Sequence, residues 1–123
     1  MTQSDPSTVE ELASLVREFA SDREWAQFHS LRNLTLALVG EVGELAAEFQ
    51  WIPDSDVEKL LADPIKKKAI ASELADIFSY LLRLADVANI DLDAALKSKV
   101  SLNQTRYPSD KARGSAAKYT AYE

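Results

Sequence analysis

LRNLTLALVGEVGELAAEFQ, residues 31–50, is the stretch that decides the fold class. Leu31, Leu34, Leu38, Val42, Leu45 and Phe49 recur every three or four positions, the period of one helix face. Glu41, Glu44 and Glu48 follow at i, i+3 and i+7 on another face of the same helix. Gly40 and Gly43 interrupt it, and a mid-helix glycine costs about 1 kcal/mol relative to alanine. Close approach of a ligand or backbone would explain them, and so would ordinary tight packing. The residues alone leave both explanations open.

The same periodicity extends outward in both directions. Trp51-Ile-Pro53-Asp54 ends the helix, and Asp54 or Ser55 is the expected cap of a short helix reaching about Ala62. Asp63-Pro64 is a start signal, an N-cap followed by proline at the first helical position. The helix it opens runs to about Ala88. Ile70, Leu74, Ile77, Phe78, Leu81 and Leu84 give that helix a broad apolar surface. Within it, Glu73-Leu-Ala-Asp76 repeats the i, i+3 acidic spacing. Asn89-Ile-Asp91 breaks the pattern, Asp91 caps a helix over about 92–105, and Tyr107-Pro108 ends it.

At the other end, Ser7-x-x-Glu10 and Thr8-x-x-Glu11 are capping-box patterns. They precede Val9, Leu12, Leu15, Val16 and Phe19, which predict a helix over 8–22. Residues 22–30 read as a loop or an irregular helix end. Three glycines, four prolines and little alternating patterning make the chain all-α. The expected organisation is a flexible stretch at 1–7, a helical domain at 8–106 and an irregular tail at 107–123. A core this small leaves apolar faces uncovered, so a four-helix-bundle-type fold completed by oligomerisation is expected.

Composition removes several kinds of chemistry. The 123 residues contain no cysteine and one histidine, His29, which excludes thiolate chemistry and multi-histidine metal sites. No phosphate-binding glycine loop and no nucleophile elbow occur. No apolar run approaches the ~20 residues of a membrane span, and a cytoplasmic, membrane-free protein is the expectation. The net charge of −6 argues against polymeric nucleic acid as a partner. Residues 97–118 carry six basic side chains against Asp110 alone, a local +5 that leaves −11 on the remainder. That segment is either a solvated tail or a counterweight for polyphosphate.

If the two long helices pack against each other, Glu41, Glu44, Glu73 and Asp76 meet. Like charges crowded in a partly dry crevice demand protonation or a cation. Oxygen-only donors suit a hard ion, Mg²⁺ first and Mn²⁺ second. Such an ion grips phosphate oxygens and acidifies a bound water. Against this stands the plain alternative that acidic helix faces are commonly just solvated.

Glu41-x-x-Glu44, a 28-residue gap and Glu73-x-x-Asp76 resemble the acidic motif of the MazG-like nucleotide pyrophosphohydrolases, in the all-α dUTPase superfamily. Trp25-Ala-Gln-Phe-His29, Phe49-Gln-Trp51, Arg106-Tyr-Pro108 and Arg113-Gly-Ser-Ala-Ala-Lys-Tyr119 resemble its dCTP pyrophosphatase branch, over about residues 8–120. The resemblance implies hydrolysis of a dNTP, dCTP or a 5-substituted dCTP foremost, to dNMP and pyrophosphate with Mg²⁺. It implies Glu41, Glu44, Glu73 and Asp76 as metal ligands and catalytic residues in a homodimer or homotetramer. It places Trp25, Phe28, His29 and Trp51 around the base. Tyr80 falls against the sugar, and Lys99, Asn103, Lys118 and Tyr119 at sugar or phosphates, with the tail closing over the site. Two rivals are a broad house-cleaning dNTP pyrophosphohydrolase and a non-catalytic Mg²⁺-binding helical module.

Overall fold

The computed structural model describes residues 8–123. Expectations for residues 1–7, including the cap at Ser7, fall outside them. Residues 8–89 form one compact unit and Ile90–Glu123 a second. Among the described residues there is no strand.

In the first unit, helix α1 spans Val9–Asp22, α2 Leu31–Phe49, α3 Val57–Ala62 and α4 Pro64–Val87. Two 3₁₀ turns, Trp25–Phe28 and Asp54–Asp56, join them. Two of the caps in this unit are those the sequence announces. Thr8 accepts a hydrogen bond from the Glu11 amide, and Asp63 accepts from the Ile65 amide with Pro64 directly behind it. Ser30 caps α2 by accepting from the Asn33 amide. The α3 start differs from expectation. Neither Asp54 nor Ser55 caps it, because both enter the 3₁₀ turn, and Asp56 stands at the N-cap with no side-chain hydrogen bond.

Helix α4 is the centre of the unit, packed against α1, α2 and α3. Its long apolar surface touches three neighbours, which explains why it is wider than one stripe. Ala20 from α1, Leu34 from α2, and Ile70, Leu82 and Ala85 from α4 form the buried core. The small alanines let the helices approach, and Leu34, 1% exposed, fills the space between them. Much apolar surface remains uncovered: Leu36, Val39, Val42, Leu74 and Phe78 are all exposed. The predicted α2 face is only partly a core face, since Leu31 and Val42 lie outside it. Gly40 and Gly43 also have open space where a Cβ would stand, so no close approach among the described residues requires them.

In the second unit, α5 spans Leu92–Arg106, α6 Ser109–Ala112, and a 3₁₀ turn covers Tyr119–Tyr122. Asp91 caps α5 by accepting from the Ala94 amide. The tail is more ordered than expected. Tyr107 meets Tyr119 and Tyr122 edge to face at 6.2 and 6.0 Å, and the Arg106 guanidinium lies 4.5 Å from the Tyr119 ring centre. Among the described residues no helix is long and apolar enough to cross a membrane.

Leu34→Ala should lower the unfolding free energy by about 2–5 kcal/mol through lost burial and a residual cavity. Denaturant unfolding followed by helix circular dichroism measures it.

Candidate functional site

The packing of α2 on α4 brings the acidic rows together. One carboxylate oxygen from each of Glu41, Glu73 and Asp76 lies within 4.8 Å of the others. Oε2 of Glu41 and Oε2 of Glu73 are buried with no hydrogen-bond partner. Glu44 is beyond the distance that this trio shares, but its carboxyl interacts with both Glu41 and Glu73, so acids from both rows do meet. Glu48, the next acid along α2, is not one of the three.

Burial and mutual repulsion set the protonation of this cluster. Loss of water, then the neighbouring Glu44 carboxyl, with Asp76 adding to it, raises the Glu41 pKa to about 7. Glu73 is raised for the same first two reasons. Two partnerless buried oxygens and an all-oxygen donor set suit a hard divalent cation, which would replace the missing hydrogen-bond donors.

A pocket of about 280 Å³ opens beside the trio. Glu41 and Asp76 line its acidic side. Tyr80, one turn along α4 from Asp76, lines it too, as do Trp25, His29 and Arg83. The Trp25 ring meets Phe19 edge to face at 5.6 Å and His29 at 6.4 Å. Phe28 and Trp51 are not in this lining. Phe28 is exposed on its 3₁₀ turn. Trp51 is 90% exposed at the end of α2 and holds a left-handed backbone, φ 69°. Lys99 and Asn103 on α5, and Lys118 and Tyr119 near the C-terminus, belong to the second unit.

One group of residues gives no functional signal in the sequence. Arg83 is buried on α4 and donates from Nη1 to Asp86 Oδ2 at 2.7 Å and from Nε to His29 Nδ1 at 3.0 Å. Arg17 on α1 grips the same Asp86 from two nitrogens, Nη2 to Oδ1 at 2.6 Å and Nε to Oδ2 at 2.9 Å. The two guanidinium groups hold the Asp86 pKa below the usual carboxylate range, Arg17 first. The only hint in the chain is local: Arg83 and Asp86 are an i, i+3 pair inside an apolar run. Arg17 lies 69 positions from Asp86, beyond any spacing rule.

Facing acidic pairs on two packed helices, beside an aromatic pocket, define the all-α class that the sequence motif suggests. The MazG-like family model matches residues 37–121, and the chain belongs to that family. The chain is 48% identical to dCTP pyrophosphatase 1 of Bos taurus over 117 residues, 95% of this chain and 69% of the relative. It is 47% identical to dCTP pyrophosphatase 1 of Homo sapiens over 113 residues, 92% of this chain and 66% of the relative. The chain thus spans about two thirds of the length of these relatives. A crystal structure of a pyrophosphatase from Archaeoglobus fulgidus superposes with a TM-score of 0.75 at 37% identity, covering 88% of this chain and 99% of that one.

The raised carboxyl pKa values have a thermodynamic consequence. An unfolded glutamate titrates near ~4.3, whereas Glu41 titrates near 7 in the fold. Between those values the folded state binds more protons at Glu41, so the contribution of this group to stability is lost as pH rises toward 7, while the lowered pKa of Asp86 acts the opposite way only in acid. Thermal unfolding in a chelator should show a lower midpoint at pH 8 than at pH 5.5. Added Mg²⁺ should recover more of it at pH 8, where it finds the carboxylates charged.

Proposed function

We propose that this protein hydrolyses a deoxynucleoside triphosphate, dCTP or a 5-substituted dCTP foremost, to the monophosphate and pyrophosphate. The observation that carries the reading is the trio Glu41, Glu73 and Asp76, with two partnerless buried oxygens, opening onto the pocket of Trp25, His29 and Tyr80. A structural acidic patch has no need of an adjoining aromatic pocket. Kinship with dCTP pyrophosphatases at 48% identity supports cytosine as the base.

Glu41, Glu73 and Asp76 would hold Mg²⁺, with Glu44 close enough to join them or to accept a proton from water. When bound, such an ion neutralises phosphate charge and acidifies a water. The chain's own residues do the rest. Trp25 offers a flat face to the base, a contact worth about 1–3 kcal/mol for any base. Stacking does not choose among bases, so selection falls to hydrogen bonding at His29. Tyr80 lines the same pocket one helical turn from Asp76, where a ring would pack against the sugar. Uncovered apolar residues on α2 and α4 and the exposed Trp51 support a homodimer or homotetramer as the working form.

Pyrophosphate release from dCTP, with and without Mg²⁺, is the direct test. Turnover should require the metal, and Asp76→Ala and Glu44→Ala should each abolish it while leaving the helical circular dichroism intact. A panel of dCTP, 5-methyl-dCTP, dTTP, dUTP and dATP should favour the first two. Equal rates on all five would mark a broad house-cleaning enzyme, and no release from any would leave a non-catalytic module.

A further inference from the structure

The single histidine stands in an unusual setting. Its Nδ1 accepts a hydrogen bond from the Arg83 Nε–H at 3.0 Å. A guanidinium has donors and no acceptor, so Nδ1 must present its lone pair. The ring hydrogen is then on Nε2. Nε2 has no hydrogen-bond partner among the described residues, and the ring lines the pocket. Arg83 in turn is not free to turn away. It is buried, and Asp86 holds its Nη1 while Arg17 locks Asp86 through a bidentate grip. Three residues on two helices thus fix the orientation of the imidazole that lines the pocket.

We infer that Arg83, anchored by Asp86 and Arg17, is a positioning residue that holds His29 as a neutral Nε2–H donor for an acceptor atom on the nucleobase edge. A second proton on His29 would have to displace the Arg83 hydrogen bond and sit against its positive charge. Burial of the ring and the same guanidinium also hold the His29 pKa below its ordinary value. The ring therefore serves recognition rather than proton transfer. A carbonyl oxygen or an unprotonated ring nitrogen meets such a donor, whereas an exocyclic amine at that point leaves two donors facing each other. A mismatch of that kind is more costly than a weak contact, because a buried unpaired donor loses its water as well.

The inference rests on the dNTP reading above for the identity of the ligand, but not for the state of the ring. Because the chain has one histidine, its side-chain nitrogens can be assigned without ambiguity in a long-range nitrogen–proton NMR spectrum of the full-length protein. At neutral pH the wild type should show Nδ1 unprotonated and Nε2 protonated, with no averaging. Arg83→Met keeps the length and removes the donor, so both nitrogens should move toward each other as tautomers mix. The KM for dCTP should rise about three- to tenfold, more than kcat falls, as expected for one lost hydrogen bond to the base. A wild-type ring with hydrogen on Nδ1, an imidazolium, nitrogen signals unchanged by Arg83→Met, or an unchanged KM would each overturn the assignment. Should that variant not fold, the wild-type spectrum still decides. If the spectra are as expected and no nucleotide is hydrolysed, the function reading fails and the tautomer assignment stands.

Discussion

Packing of α2 on α4 forces carboxylates together, and the other features of the site depend on that contact. Leu34 from α2 and Ile70, Leu82 and Ala85 from α4 are driven inward by their loss of water. Burying each large aliphatic side chain is worth about 1.5–3 kcal/mol. The same contact carries Glu41, Glu73 and Asp76 into mutual reach, with two of their oxygens buried and unpartnered. Apolar packing thus holds an electrostatic conflict in place. A fold that stores such a conflict gains from any cation that resolves it, which is why local frustration tends to mark a working site.

The pocket beside this conflict is lined by two chemically different sets of residues. Glu41 and Asp76 supply carboxyl groups, a place for a cation and hence for phosphate. Arg83, His29 and Trp25 supply ring faces and an N–H held by the Arg83 hydrogen bond. A nucleotide carries the complementary groups, phosphates and a flat base with hydrogen-bonding edges. The Arg17–Asp86–Arg83 chain ties α1 to α4. A bidentate guanidinium–carboxylate contact fixes angle as well as distance, so the pocket wall becomes an oriented element.

Kinship with dCTP pyrophosphatases agrees with this pairing, and the apolar surface adds a further constraint. Val39 is 63% exposed and Trp51 90% exposed. Single exposed apolar residues are ordinary, but several along α2 and α4 make an apolar surface, the basis of the oligomer proposed above. Trp51 at the end of α2 combines a left-handed backbone with an indole open to solvent. Gly40 and Gly43 have open space beside them, so their cost to the helix is not offset by any contact among the described residues.

Local chemistry made the helices legible in the sequence. Thr8, Asp63-Pro64 and Asp91 cap helices because their side chains reach amides two or three residues on, a short-range matter. The i, i+3 acidic pairs were legible for the same reason, since helix geometry alone puts them on one face. Tertiary structure decided which of these residues share space. It drew Glu41, Glu73 and Asp76 into one trio, set Glu44 against both glutamates, and left Phe28 and Trp51 out of the pocket lining that Trp25 and His29 share. It also joined Arg17 to Asp86 and Arg83 to His29, 69 and 54 positions apart. Spacing fixes direction only within one rigid element, whereas contact between elements depends on how their apolar faces pack, and no local pattern encodes that.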